Sequence, residues 1–281
     1  MLILACDTSN SACSACLYED GRVLVQSLLS LGRTHSLTFM PLVHELMKQS
    51  GRAYSELDAF ACTVGPGSFT GIRIGVSAVK AMAMVTKKPA VPVSSLKALA
   101  FPFFGHEATL IVAMTDARNR RVFSAAYYES REVIPESART IDELMLLCEA
   151  WENEHSTLDE GIILCGDIAV IYAEEEYFRQ KSARVPALFG REIQPAAVAA
   201  IAYGKMNEGG DLYGIYSPAA LMPVYRAKTS AERMFPKAQE PLPPEPEEQL
   251  PSIREAQLPP AILPLSPEDP VFPVGMDNAN E

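Results

Sequence analysis

The sequence predicts an α/β protein made of two copies of one mixed topology, followed by a proline-rich tail. Three observations carry this. Short apolar runs alternate with segments of helical period. Over residues 1–93 their order is β-β-β-α-β-α-β, and from Thr109 the same order of elements, though not the same residues, begins again. Past Pro236 the composition changes, with 12 of the 22 prolines falling between Pro236 and Pro273.

At 281 residues and 48% hydrophobic content, the chain can bury one large core or two modest ones. Charge is uneven. The net charge is −11, and the stretch from Lys237 to the end, with 2 basic and 9 acidic residues, carries −7 of it. No basic stripe interleaved with aromatics is present, so contact with RNA is expected to be indirect. The short start Met1–Cys6 has no basic leader, and no stretch reads as long and apolar enough for a bilayer. A cytoplasmic protein with no membrane partner is therefore expected. Six cysteines in a chain of this length do not make a disulfide scaffold. Cys13 and Cys16 lie three apart in an apparent strand and so point to opposite sides, which argues against a shared metal; no metal and no cofactor are expected.

In order, Leu2–Cys6 reads as a buried strand ending at Asp7-Thr8-Ser9-Asn10. A carboxylate and hydroxyls at the end of a first strand suit phosphate and its metal, and equally suit a turn. Ala12–Tyr18 and Val23–Leu31 form a hairpin about Asp20-Gly21. A helix follows from His35 to Ser50, closed by Gly51, with Pro41 implying a kink or a late start. Its apolar residues Phe39, Met40, Leu42, Val43, Leu46 and Met47 span an arc of roughly 160°, wider than one sheet contact requires.

Leu57–Val64 is the next strand. Gly65-Pro66-Gly67 must turn, and Ser68 or Thr70 can cap the helix that runs from Gly71 to Thr86. Glycines at Gly65, Gly67 and Gly71 before a helix N-terminus can cradle an anion or simply turn the chain. Both faces of this helix are apolar or small. Ile72, Val76, Val79 and Ala83 make one; Ile74, Ala78, Ala81 and Val85, with Met82 beside them, make the other. A layer helix buries one stripe, so the second face calls for a partner.

Ala90–Val93 is a strand, and Ser94-Ser95 caps a short helix with Leu96, Leu99 and Ala100. In the second half, strands are expected at Thr109–Thr115, Arg121–Tyr128, Val133–Ile134 and Gly161–Cys165, with Asp116-Ala-Arg-Asn119 as a turn. Helices are expected at Ile141–Glu152, Ala169–Gln180 and Ala196–Met206. These divide the chain into 1–93, 94–233 and an acidic, disordered tail, 234–281.

Gly65-Pro-Gly-Ser-Phe-Thr-Gly-Ile-Arg73, together with Asp7-Thr8-Ser9, His35-Ser36 and Asp116-Ala-Arg118, resembles the bacterial TsaB (YeaZ) family over about residues 1–233. The resemblance implies the actin-like, sugar-kinase and Hsp70 ATPase (ASKHA) fold with two similar subdomains. It implies a non-catalytic partner of the related enzyme TsaD, acting with the ATPase TsaE in threonylcarbamoyl modification of tRNA adenosine 37. It also implies that helices 35–50 and 71–86 pack on TsaD or, without it, on a second copy as a homodimer. The partner surface is then expected at Phe39, Met40, Val43, Leu46, Met47, Ile74, Ala78, Ala81, Met82 and Val85. Asp7, Thr8, Ser9, Gly65, Gly67, Ser68, Thr70 and Gly71 become vestigial nucleotide or phosphate loops. Where the enzyme carries two metal-binding histidines, this chain has Ser95 and Leu99, which cannot replace imidazoles at a metal. The adenosine loop is reduced to Cys165-Gly166-Asp167-Ile168. The alternative is an active nucleotide-dependent transferase or phosphotransferase of the same fold, using Asp7 on a metal–nucleotide and the Gly65–Gly71 loop on phosphate.

Overall fold

A computed structural model describes residues 1–32, 34–106, 108–155, 161–186 and 190–226; the expected tail, 234–281, lies outside them. Strands β1 (Leu2–Asp7), β2 (Cys13–Glu19) and β3 (Arg22–Leu29) form an antiparallel meander. Helix α1 (His35–Ser50), strand β4 (Ala59–Gly65), helix α2 (Phe69–Thr86) and strand β5 (Ala90–Ser94) follow. β4 lies parallel to β1 and β5 parallel to β4, so the sheet order is β3-β2-β1-β4-β5. After α3 (Ser95–Ala100), the pattern recurs as β6 (Thr109–Asp116), β7 (Arg121–Tyr128), β8 (Arg131–Thr140), α4 (Ile141–Glu154) and β9 (Gly161–Cys165), in the order β8-β7-β6-β9. The repeated order is the one the ASKHA resemblance implies. Helices α5 (Ala169–Tyr172), α6 (Glu176–Gln180), α7 (Pro195–Asn207) and α8 (Leu212–Ile215) complete the described chain.

β1 is apolar throughout, up to its terminal Asp7, because both of its faces are covered. Ile3 and Ala5 face a core shared with Val91 and Val93 of β5 and with Ile111, Ala113, Ala125 and Tyr127 of the second sheet; α3 and α7 lie within it. Leu2, Leu4 and Cys6 point the other way, onto α1 and α2. Cys13 belongs to this outer core and Cys16 to the shared one, as the strand period requires. All six cysteines are free and buried, and burial pushes the Cys16 thiol up to about 12. A third core joins α4 and α6 to the outer face of the second sheet.

The two halves by sequence are not separate in space. α7 packs on β1 and β2, and Lys205 donates to the Pro92 carbonyl at 2.7 Å. The chain then returns along α2. Val224 N–H donates to the Val64 carbonyl at 2.7 Å, and Leu221 is buried in the outer core of the first sheet.

Four elements depart from expectation. α1 runs unbroken through Pro41. The single helix expected at 169–180 splits into α5 and α6 at Glu175, which is extended and whose carboxylate lies 3.2 Å from Arg120. β8 is far longer than Val133–Ile134. As an edge strand with one open face it carries polar residues, and register shifts between β7 and β8 accommodate Pro135. Finally, α2 does have the length and composition of a membrane span, contrary to the expectation for the whole chain. Its Ile72, Val76, Val79 and Ala83 fill the core over β4, which accounts for half of its apolar character.

Candidate functional site

The site grows from the carboxyl end of β1. Asp7 is buried, and one carboxylate oxygen accepts three hydrogen bonds, from Ser9 N–H at 3.0 Å, Ser9 Oγ at 2.6 Å and Thr63 Oγ1 at 2.5 Å. Thr8 Oγ1 donates to the Gly71 carbonyl at 2.8 Å, and Ser68 N–H donates to the Ser9 carbonyl at 2.7 Å. Ser68 caps α2 by accepting from Gly71 N–H at 3.2 Å, while Thr70 is exposed. Two glycines make this closeness possible: a Cβ on Gly71 would run into the Thr8 carbonyl, and one on Gly75 into the Thr8 hydroxyl. Gly65 is equally confined, since a Cβ there would lie 2.5 Å from the Val224 carbonyl. An anion cradle needs free N–H groups aimed at a common point. Here Ser68 and Gly71 spend theirs on the chain's own oxygens.

The second half brings in residues that local sequence signals did not single out. Glu192, in the loop before α7, accepts from Ser11 Oγ at 3.3 Å across 181 positions of sequence. His35 Nε2 lies 2.7 Å from the Asn10 carbonyl, which ties the start of α1 to the β1–β2 loop. Burial holds the carboxyls of Asp7, Asp167 and Glu192 above the ordinary range. Asp116 adds to the effect at Asp167, and Asp167 with Asp7 adds to it at Glu192. Ser95 and Leu99 are buried on α3 within the shared core. Among the described residues, no group of three or more His, Cys, Asp and Glu is placed to hold a metal ion.

A carboxyl raised in the folded chain keeps its proton after the unfolded chain has lost it. Its stability contribution is therefore present at low pH and lost as pH climbs from the ordinary carboxylate value through the raised one. Asp7→Asn keeps an acceptor oxygen and removes this titration. Thermal unfolding between about pH 4 and pH 7 is expected to show a shallower decline for the variant than for the parent chain. An equally steep decline in both would remove Asp7 as its source.

The expected partner face is only partly open. Phe39, Val43, Leu46 and Met47 are buried in the chain's own core, because α1 packs on β2 and β3 with most of its wide arc turned inward. They are corrected from surface to core. Met40 is exposed. On α2, Ile74, Ala78 and Met82 are half-buried against the same core, whereas Ala81 is exposed and Val85 is 84% exposed. The outward stripe is thus rotated from the expected one and runs through Arg73, Ser77, Ala81, Met84 and Val85. Sequence periodicity gives the existence of two faces but not which flank the returning C-terminal segment covers. Met222, 62% exposed, and Tyr225, whose ring lies 4.9 Å from that of Phe69, extend the apolar surface beyond α2. No local pattern marked either one.

Fold and site together define a two-sheet α/β protein of duplicated topology, whose glycine turn is closed by its own β1 loop. The model of the tRNA N6-adenosine threonylcarbamoyltransferase family, TsaD, matches residues 29–181. The tRNA threonylcarbamoyladenosine biosynthesis protein TsaB of Haemophilus influenzae is 38% identical over 125 residues, 44% of this chain and 52% of that protein, so the match spans about half of the relative's length. TsaB of Bacillus subtilis is 28% identical over 246 residues, 85% of this chain and 100% of that protein. The crystal structure of a Pseudomonas aeruginosa protein with similarity to peptidase YeaZ superposes with a TM-score of 0.63 at 25% identity, covering 80% of this chain and 99% of the other. The chain belongs to the TsaD-like family, on its TsaB (YeaZ) branch.

Proposed function

We propose that this chain is the non-catalytic partner of a TsaD enzyme in threonylcarbamoylation of adenosine 37 of tRNA. The observation that carries the reading is the closure of the β1–α2 turn by Thr8, Ser9 and Ser68, with Ser95 and Leu99 used as core residues on α3. With the Ser68 and Gly71 amides bonded to the chain's own oxygens, two of the turn's donors are withdrawn from any anion, and buried serine and leucine replace no imidazole at a metal. The similarity to TsaB proteins supplies the pathway. In this reading, residues 1–93 carry the partner face, centred on Ala81 and Val85 of α2, with Met40 as the exposed apolar residue of α1. TsaE joins the assembly in the cytoplasm, and tRNA is held by the enzyme.

Depletion of the protein in its own cell is expected to lower threonylcarbamoyladenosine in digested tRNA, read by mass spectrometry, and the purified chain alone is expected to transfer nothing. Unchanged nucleoside levels would overturn the role. Transfer by the isolated chain, lost in Asp7→Ala, would favour the alternative of an enzyme in its own right.

A further inference from the structure

Past α8, residues 221–226 have no regular secondary structure, yet they touch both sheets. On the first-sheet side, Lys80 Nζ of α2 donates to the carbonyl oxygens of Ala219 at 2.8 Å and Leu221 at 3.4 Å. Val224 N–H is bonded to the end of β4, its carbonyl closes over Gly65, and the Tyr225 ring packs on Phe69, the first residue of α2. On the second-sheet side, Arg226 Nε donates to Glu136 Oε1 of β8 at 3.0 Å. The other carboxylate oxygen of Glu136 accepts from Ser94 Oγ, the cap of α3, which itself accepts from Lys97 N–H at 3.2 Å. The Glu136 side chain is only 8% exposed, so its charge depends on Arg226 to offset desolvation.

We propose that Glu136 is a positioning residue for the partner face: from β8 of the other sheet, and through Arg226, it holds the returning segment against α2 and the glycine turn. The inference rests on the partner reading above and deepens it. Met222 and Tyr225 are the open residues of this segment, and both belong to the apolar surface that continues α2. A segment with no ladder or helix of its own is ordered only by what grips its two ends. Leu221, buried in the outer core, grips one end and Glu136 grips the other. With Arg226 released, Tyr225 and its neighbours regain their freedom. A partner must then order them as it binds, which weakens its affinity although no residue it touches has changed.

The test uses the full chain, with folding checked by circular dichroism. Arg226→Glu sets two carboxylates against each other, and Arg226→Gln is the milder variant expected to act in the same direction. Exchange of the Val224 amide, followed by NMR, is expected to quicken about ten-fold in Arg226→Glu. Ser94→Ala is expected to quicken exchange of the Lys97 amide and to leave that of Val224 unchanged, which separates the cap of α3 from the hold on the segment. Capture of the TsaD enzyme of the same cell is expected to weaken at least about five-fold in Arg226→Glu. The swapped pair Glu136→Arg/Arg226→Glu is expected to bring both readouts back to within about two-fold of the parent. Unchanged Val224 exchange in Arg226→Glu, or a swap that restores neither readout, overturns the inference. Faster exchange with unchanged capture overturns the positioning role. Absence of any capture by the parent chain overturns the partner reading, and the hold of Glu136 on the segment is then judged by exchange alone.

Discussion

Ala81→Glu combined with Val85→Glu is expected to weaken capture of the TsaD enzyme by at least about 100-fold while leaving the fold intact. Both positions are open, Val85 at 84% exposure, so the substitutions remove no internal contact and the melting temperature is expected to stay within about 1 °C. The loss arises because a carboxylate in the centre of an apolar contact must be desolvated without a partner. A contrasting change isolates the cause. Leu46→Ala, on the inward arc of α1, is expected to cost about 2–5 kcal/mol of stability, because it opens a cavity over the first sheet. Binding measured below its melting point is expected to persist. Unchanged capture by the double variant would place the partner surface elsewhere on the molecule.

Gly71→Ala is expected to destabilise the chain by about 3 kcal/mol, reversing the usual sign for this substitution in a helix. Alanine is the better helix former, and at an open site it would add stability. Here the new Cβ would enter the Thr8 carbonyl, a backbone atom locked at the end of β1, so α2 must move as a unit. For a folded region of this size, that cost corresponds to a fall in melting temperature of roughly 6–12 °C. Gly75 meets the Thr8 hydroxyl instead, a side-chain atom that can rotate away where a backbone carbonyl cannot, so Gly75→Ala is expected to be milder than Gly71→Ala. A rise in melting temperature for Gly71→Ala would show that the β1–α2 contact is looser than described.

Much of the architecture was legible before any coordinates. β7 and β9 fall at their expected bounds, and α1 begins and ends where His35 and Gly51 placed it. The Ser68 and Ser94 caps both accept the hydrogen bonds that their position before a periodic run suggests. These features depend on neighbours within a few residues. β8 was nearly lost because an edge strand with one wet face does not alternate cleanly. The break at Glu175 was lost because no proline or glycine within 169–180 marks it.

For the site, spacing singled out Asp7–Ser9 and the Gly65–Gly71 turn, but it did not settle their state. Gly65, Gly67, Ser68 and Gly71 read equally well as a cradle or as a turn, and what fills the space is Thr8 and Ser9, from another strand. Glu192 and the segment through Tyr225 reach the site and the face of α2 only because the chain doubles back after α7.

By itself, the sequence determined two α/β halves, a helix with two apolar faces, and the absence of imidazoles at positions 95 and 99. All of these are properties of residue type and period. Only the tertiary structure decided that the β1 loop bonds to the turn, that five residues of α1 are core, and that the open stripe of α2 runs through Ala81 and Val85. Those outcomes depend on which distant segments share each surface, and periodicity carries no information about what lies opposite.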